Sequence, residues 1–543
     1  MLTATEDWQQ LFEGTGVEDL EEALPALLRT RRWFGGKARK ITTVQIIDSI
    51  LIPSDSTARL LLIRLTYTDG GTETYTLPLA AAFGEEANRI RRDFPQAVIA
   101  PLVVRKPQSE DSGLLYDALW NRDLAFTFLR GIGQNSHFSG IDGSITAKST
   151  TAFADLVPSL SELEPVVMGA EQSNTSIVFG GCVILKFYRR LGEGMNPDVE
   201  IGRALTRQRF PYVPSIAGEL EYHNTRGQRG TLGVLQKFVA NDGDGWKQSL
   251  GVFERFIDRI RKEHLWDERP PAFPSHPLDL AQAEYSASAR HLIGPYLESA
   301  RRLGNRTAQL HLALSRIADD PAFAPETLTP EYRWSRHESM IRGMTETIAL
   351  VKERIELLPS HGRAMAEMLI ELKPELHRIF DAFRNVKTPV PMIRCHGDYH
   401  LGQVLCTGDD FIIIDFEGEP AHSLVERRMK RPPLVDVAGM IRSFHYAPFA
   451  FLKSKAVERC SWTSFWSGWT SAAFLKGYLE LAIGKPFWPQ DPEVVRLLFD
   501  VYVVNKALYE LRYELNNRPD WVEIPLHGLV ELLRPAAQGE CTI

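Results

Sequence analysis

Arg394-Cys395-His396-Gly397-Asp398-Tyr399-His400-Leu401-Gly402-Gln403 is followed, twelve positions after Gln403, by Asp415-Phe416-Glu417. The apolar run Phe411-Ile412-Ile413-Ile414 leads into Asp415. An Asp five positions before an amide side chain, with a second Asp ending an apolar strand, suits phosphoryl transfer. That chemistry asks little covalent work of a protein beyond positioning and charge neutralisation. Asp398 is expected to take the proton of an attacking hydroxyl. Gln403, Asp415 and Glu417 offer hard oxygen ligands of the kind Mg²⁺ prefers, so ATP and Mg²⁺ are the expected cofactors. No His/Cys set in the stretch suits zinc.

The layout resembles the catalytic loop H-R-D-x-x-x-x-N and the D-F-G of protein kinases. Gly397 stands in place of the Arg, Gln403 of the Asn and Glu417 of the Gly. With these departures the stretch is similar to small-molecule kinases of the aminoglycoside-phosphotransferase type. That resemblance implies an α+β, bilobal protein-kinase-like fold and a small hydroxyl-bearing substrate.

Composition narrows the field. The 543 residues are too many for one core, and 44% hydrophobic residues mark an ordinary globular chain. Lys and Arg number 62 against 69 Asp and Glu, a net charge of −7, so neither nucleic acid nor an anionic membrane is an expected partner. Five scattered cysteines without C-x-x-C spacing argue for reduced thiols. Without a signal-like N-terminus or a run of about 20 apolar residues, the expected location is cytoplasmic.

Residues 18–32 show a helical apolar stripe and run into Arg31-Arg32-Trp33-Phe34-Gly35-Gly36-Lys37, with strands expected at 43–52, 59–67 and 73–79. Residues 1–150 are therefore expected to form an extra N-terminal α+β cap subdomain, in which Trp33 and Phe34 are core anchors. Residues 151–245 read as a kinase N-lobe and 246–543 as a large, mostly α-helical C-lobe. Helices are expected at 296–317, 334–358, 362–385, 434–447, 462–483 and 493–516.

In the N-lobe segment, Lys186 is the one cation in the apolar strand Val183-Ile184-Leu185-Lys186-Phe187-Tyr188. A buried ammonium needs an anion. The candidates are a nucleotide phosphate and Glu200, on a helix opened by Asn196 and Pro197. The polar loop at 171–176 is expected over the phosphates, with Ser173, Asn174, Thr175 and Ser176 and their backbone as donors. The strand end holding Gln236 and Phe238 precedes Asn241-Asp242-Gly243-Asp244-Gly245, the expected adenine hinge.

His396-Gly397-Asp398-Tyr399-His400-Leu401-Gly402-Gln403-Val404-Leu405 and Asp415-Phe416-Glu417-Gly418-Glu419-Pro420 closely resemble the bacterial maltokinases. So do Arg32-Trp33-Phe34-Gly35-Gly36-Lys37, Leu303-Gly304-Asn305-Arg306-Thr307-Ala308-Gln309-Leu310-His311, Asp436-Val437-Ala438-Gly439-Met440-Ile441-Arg442-Ser443-Phe444 and Asn505-Lys506-Ala507-Leu508-Tyr509-Glu510. The resemblance spans nearly the whole chain. It implies ATP-dependent phosphorylation of maltose on its anomeric hydroxyl, giving maltose 1-phosphate for glycogen-like α-glucan synthesis, and trehalose synthase as a partner. It also points to a sugar site in the C-terminal lobe. Lys506, Glu510 and Tyr513, spaced i, i+4, i+7 on one helix face, offer a cation, an acceptor and a ring. Arg442 and His396 are further substrate candidates, although His396 also suits a supporting hydrogen bond in the loop. Two other readings stay open: a kinase for another sugar such as glucosamine, and an inactive scaffold for trehalose synthase. Intact Lys186, Asp398, Gln403 and Asp415 weigh against the scaffold.

Overall fold

Along residues 58–67, Leu60 and Leu62 enter one apolar core while Leu61, Ile63 and Leu65 enter another. Side chains alternate across a strand, so a near-continuous apolar run such as Leu-Leu-Leu-Ile signals a strand covered on both faces. The computed structural model, which describes residues 2–54, 57–157, 159, 163–169, 174–274, 276–457 and 460–534, places this strand within a seven-stranded sheet. Six of its strands run in the order Leu2–Thr5, Val98–Lys106, Ser109–Asp117, Thr72–Phe83, Ala58–Tyr67 and Ile41–Ile52, and the seventh, Arg190–Leu191, pairs with Thr72–Phe83 off that path. Leu2–Thr5 pairs in parallel, and the other strands of that path pair antiparallel.

Helix Thr15–Arg29 covers one face through Leu20, Leu24 and Leu28. Trp33 and Phe34 close that core against Tyr75, ring centroids 6.1 and 5.2 Å away. On the other face lies helix Arg122–Gln134, whose Leu124, Phe128 and Leu129 share a core with a second sheet. That sheet is antiparallel throughout, in the order His137–Ser139, Gly143–Ser149, Ile216–Asn224, Arg229–Lys237, Val183–Tyr188, Asn174–Phe179 and Pro165–Val167.

The two sheets are also stitched by backbone. After Tyr188 the chain continues into Arg190–Leu191, which pairs with Thr72–Phe83, and Thr76 N–H donates to Arg189 O at 2.8 Å. Arg189 is only 1% exposed, so its charge must be met internally. It pairs with Asp117, donates to Thr175 Oγ1 at 2.9 Å and lies 4.8 Å over the Trp33 ring.

By its contacts the chain divides into two units, Met1–Arg209 with Pro214–Ala240, and Phe210–Val213 with Asn241–Ile543. Both sheets belong to the first. The second is mostly helical, so the fold is α+β of the bilobal kinase kind. Its longest helices are Tyr296–Ser315, Pro330–Arg354, Leu434–Ser454, Trp462–Ala482 and Pro492–Asn517. The single helix expected over 362–385 is two, Ser360–Glu371 and Lys373–Arg384, because Pro374 supplies no N–H and suits only a first turn. Helices Tyr296–Ser315 and Trp462–Ala482 touch backbone to backbone. A Cβ at Gly304 or Gly477 would come within 1.9 Å of Phe474 O or Arg301 O.

Candidate active site

The twelve-residue spacing that opens the sequence reading is a β-hairpin. Strands Val404–Thr407 and Asp410–Ile413 pair antiparallel with Val404 opposite Ile413, and Ile414 N–H donates to Gln403 O at 3.0 Å. The hairpin therefore sets Gln403 beside Asp415, and the Gln403 amide Nε2 donates to Asp415 Oδ2 at 2.9 Å. That leaves Gln403 Oε1 as the oxygen available to a cation. Asp415 and Glu417 carry carboxylate oxygens within 4.8 Å of one another. Three hard oxygen donors, with no thiolate or imidazole, fit a divalent cation such as Mg²⁺. Asp415 has φ +70°, a conformation costly for any residue with a Cβ and one that concentrates at functional sites.

Asp398 lies on a loop held from behind by helix Leu434–Ser454. Asp436, 1% exposed, accepts the backbone N–H of His396 at 2.7 Å and of Gly397 at 2.9 Å, and bonds His311 Nε2 at 3.0 Å. Burial would raise the carboxyl of Asp436. The hydrogen bond from His311 and the Gly397 N–H outweigh it and hold the group below the usual carboxylate range. Ser443 Oγ accepts Leu401 N–H at 3.1 Å from the same helix. The helix can approach because residue 439 is glycine: a Cβ there would stand 2.5 Å from Tyr399 O.

His396 is a support of the loop, which corrects its placement against the substrate. It is 1% exposed, its Nε2 bonds Ile414 O at 2.9 Å and its Nδ1 accepts Asp398 N–H at 3.4 Å. A carbonyl only accepts and an N–H only donates, so the ring is neutral with its proton on Nε2. His400 caps the following turn by accepting Gly402 N–H at 3.1 Å.

Beside Asp398 is a cavity whose lining includes Asn505, Lys506 and Tyr509 of helix Pro492–Asn517, with Glu419 and His422 opposite. Lys506 Nζ donates to Asp398 Oδ1 at 3.2 Å and pairs with Glu419, whose other oxygen is 3.2 Å from His422 Nε2. Burial would lower the ammonium of Lys506, but Glu419 and Asp398 together hold it above the ordinary lysine value.

The expected sugar face is only partly found. Glu510 accepts both Arg442 Nε at 3.0 Å and Nη2 at 2.6 Å, so these two substrate candidates are spent on each other. Tyr513, 45% exposed, lies under Arg518 at 5.4 Å and is not among the lining residues. The face that meets the cavity runs through Tyr502, Lys506, Tyr509 and Arg512 instead. Sequence reasoning missed Asp436, Glu419 and Tyr509 as site residues. Two of these had a signal, since Glu419 closes the run Glu417-Gly418-Glu419 and Tyr509 is three positions from Lys506.

In the sheet-rich unit, Lys186 Nζ donates to Asp198 Oδ2 at 3.2 Å, and Tyr188 Oη donates to the same oxygen at 3.2 Å. Glu200, one of the two anions expected for Lys186, lies two residues further along the same helix, Pro197–Arg207, and is buried. Asp198 reaches the strand because Asn196 caps the helix by accepting Asp198 N–H at 2.9 Å. The phosphate loop reading needs correction. Asn174, Thr175 and Ser176 belong to strand Asn174–Phe179, with Thr175 and Ser176 buried and the Thr175 hydroxyl bonded to Arg189. Ser173 lies outside the described residues. Gln236 sits in strand Arg229–Lys237 opposite Ile184, and Phe238 N–H is committed to Cys182 O at 2.8 Å.

Residues 27–120 match the maltokinase N-terminal cap domain. The chain is 24% identical over 395 residues to a glucosamine kinase of Streptacidiphilus jiangxiensis, covering 70% of this chain and 76% of that one. It is 21% identical over 372 residues to a glucosamine kinase of Mycolicibacterium smegmatis, covering 67% and 78%. The solved structure of a glucosamine kinase in complex with glucosamine, ADP and inorganic phosphate superposes with a TM-score of 0.60 at 18% identity, over 94% of this chain and 97% of that one. The fold is thus kinase-like and carries a maltokinase-type cap. No helix among the described residues is long and apolar enough to cross a membrane.

Proposed function

We propose that the chain is an ATP-dependent sugar kinase that phosphorylates maltose on its anomeric hydroxyl. The observation that carries this reading is Asp398 at a cavity lined by an ammonium, an amide and a phenol, the groups that bind a polyhydroxylated ring. Asp398 accepts the proton of the acceptor hydroxyl as its oxygen bonds to the γ-phosphorus and the bond to the β-phosphate oxygen breaks, releasing ADP. The proton then leaves to solvent. Gln403, Asp415 and Glu417 hold Mg²⁺, which neutralises phosphate charge. Lys186, kept in place by Asp198, is the cation assigned to the nucleotide.

Maltose is favoured over other acceptors by the match of residues 27–120 to a cap domain named for maltokinases. The product, maltose 1-phosphate, would feed α-glucan synthesis, and trehalose synthase is the partner this reading assigns. Glucosamine is the second reading, because both curated relatives named above are glucosamine kinases. ATP consumption measured with maltose, glucosamine, glucose and trehalose separates the two. Maltose is expected to give the highest kcat/KM, since binding energy from a second ring positions the first. A clear preference for glucosamine would overturn the maltose assignment and leave the kinase chemistry standing.

A further inference from the structure

The cavity beside Asp398 already contains an ammonium group. Its lining holds two carboxylates, Asp398 and Glu419, and Lys506 bonds both. Against those two stand four cations, Lys506, Arg336, Arg431 and Arg512. Glu346 of helix Pro330–Arg354 offsets Arg512 at 2.9 Å, while Glu510, on the same helix as Lys506, is taken by Arg442. The remaining titratable neighbours are His400 on the catalytic loop, His422 beside Glu419, the buried Tyr399 and Tyr502 of the lining, and Tyr509 beneath Lys506 at 5.0 Å. An amino sugar brings its own ammonium, and its amine titrates in the range of an α-amino group, about 7.7–8.0. Such a ligand needs a carboxylate partner, and none of the cavity's is uncommitted. Like charges brought together without a counter-ion are a strong source of discrimination.

We infer that Lys506 is a specificity-determining residue: it fills the place an acceptor ammonium would take, and so restricts the site to sugars without a positive charge. The inference rests on the sugar-kinase reading above and deepens it.

The test is competition between glucosamine and glucose, read as the ratio of their kcat/KM values. Ionisations of the free enzyme cancel in that ratio and leave the amine of the substrate. In the unaltered protein, glucosamine is expected to be disfavoured by roughly tenfold or more at about pH 6.5, with the ratio climbing towards one by about pH 9. Lys506→Ala should raise the ratio roughly tenfold at the lower pH, because the substrate ammonium can then bridge Asp398 and Glu419. Lys506→Arg, which keeps the charge, should leave it low. A ratio that is flat with pH, or glucosamine preferred at about pH 6.5, overturns the inference even if Lys506→Ala proves inactive. Neutral and amino sugars used equally would sink this inference alone. No turnover of any sugar would sink the sugar-kinase reading with it.

Discussion

Asp436 accepts the backbone N–H of His396 at 2.7 Å, and the two residues are 40 positions apart. The bond, with its companion to Gly397, makes a buried carboxylate the hinge pin of the loop that carries Asp398. Asp436 touches no substrate on this view and acts by position. Asp436→Asn exchanges one acceptor oxygen for a donor that faces N–H groups. Such misplacement of a catalytic group by a fraction of an ångström is expected to lower kcat by roughly 10²-fold while leaving the KM for ATP near its starting value. A variant with unchanged kcat would show that the loop holds itself.

The same carboxylate has a pH signature. Its folded pKa is depressed below the ordinary Asp value, so it stabilises the fold above that value and the contribution is lost as pH falls through the folded pKa. Thermal melting of the native protein and of Asp436→Asn should therefore differ most at neutral pH. The gap should close as pH drops below about 4. A gap that is constant from pH 7 into acid would contradict the assigned charge state.

Asp398→Asn is expected to lower kcat by roughly 10²–10⁴-fold, the range for loss of a general base. Nucleotide affinity, measured by calorimetry, should persist, because Asp398 is assigned to the acceptor. Near-normal turnover would remove Asp398 from its role.

How far the site was legible depends on sequence distance. The pairing of Gln403 with Asp415 could be read because a hairpin is local and its arithmetic is fixed. Lys186 stood out because a cation in an apolar strand demands an explanation. Asp436 could not be found that way, since its helix reads as an ordinary apolar segment and its partners are 39 and 40 residues back. Asn174 and Thr175 were misread as loop because their polar side chains suggested a solvated turn. The group that lets Thr175 be buried, Arg189, sits between strands Val183–Tyr188 and Arg190–Leu191 and is itself paired to Asp117. For helix Pro492–Asn517, periodicity groups Lys506 with Glu510 and Tyr513. It does not say which side meets the cavity, and Arg442 decides that by claiming Glu510. The division into a sheet-rich first part and a helical second part followed from period-2 and period-3.6 patterns that need no distant partner, whereas the bilobal kinase fold was implied by the resemblance of the catalytic stretch.

The metal ligands make a separate forecast. Chelation with EDTA is expected to abolish turnover, and Asp415→Ala should remove Mg²⁺-dependent nucleotide binding along with activity. Because Gln403 donates to Asp415, Gln403→Ala should weaken the metal more mildly and raise the Mg²⁺ concentration needed for half-maximal rate. If Asp415→Ala binds the Mg²⁺–nucleotide complex normally, the cation is held elsewhere.

Gly439 offers a test of the catalytic loop that alters no polar group. Its Cα faces Tyr399 O so closely that an added methyl would lie 2.5 Å from the carbonyl oxygen, well inside van der Waals contact. Tyr399 itself cannot give way freely, being buried with its hydroxyl 2.9 Å from Thr307 Oγ1. Either helix Leu434–Ser454 must withdraw, loosening Asp436 and Ser443 from the loop, or the loop must shift and carry Asp398 with it. Overpacking of this kind costs about 1–3 kcal/mol. Gly439→Ala should therefore lower the melting temperature and, at temperatures where the variant is fully folded, reduce kcat far more than the KM for ATP. Full activity in a folded Gly439→Ala protein would mean that the close approach of helix and loop is not what positions the base.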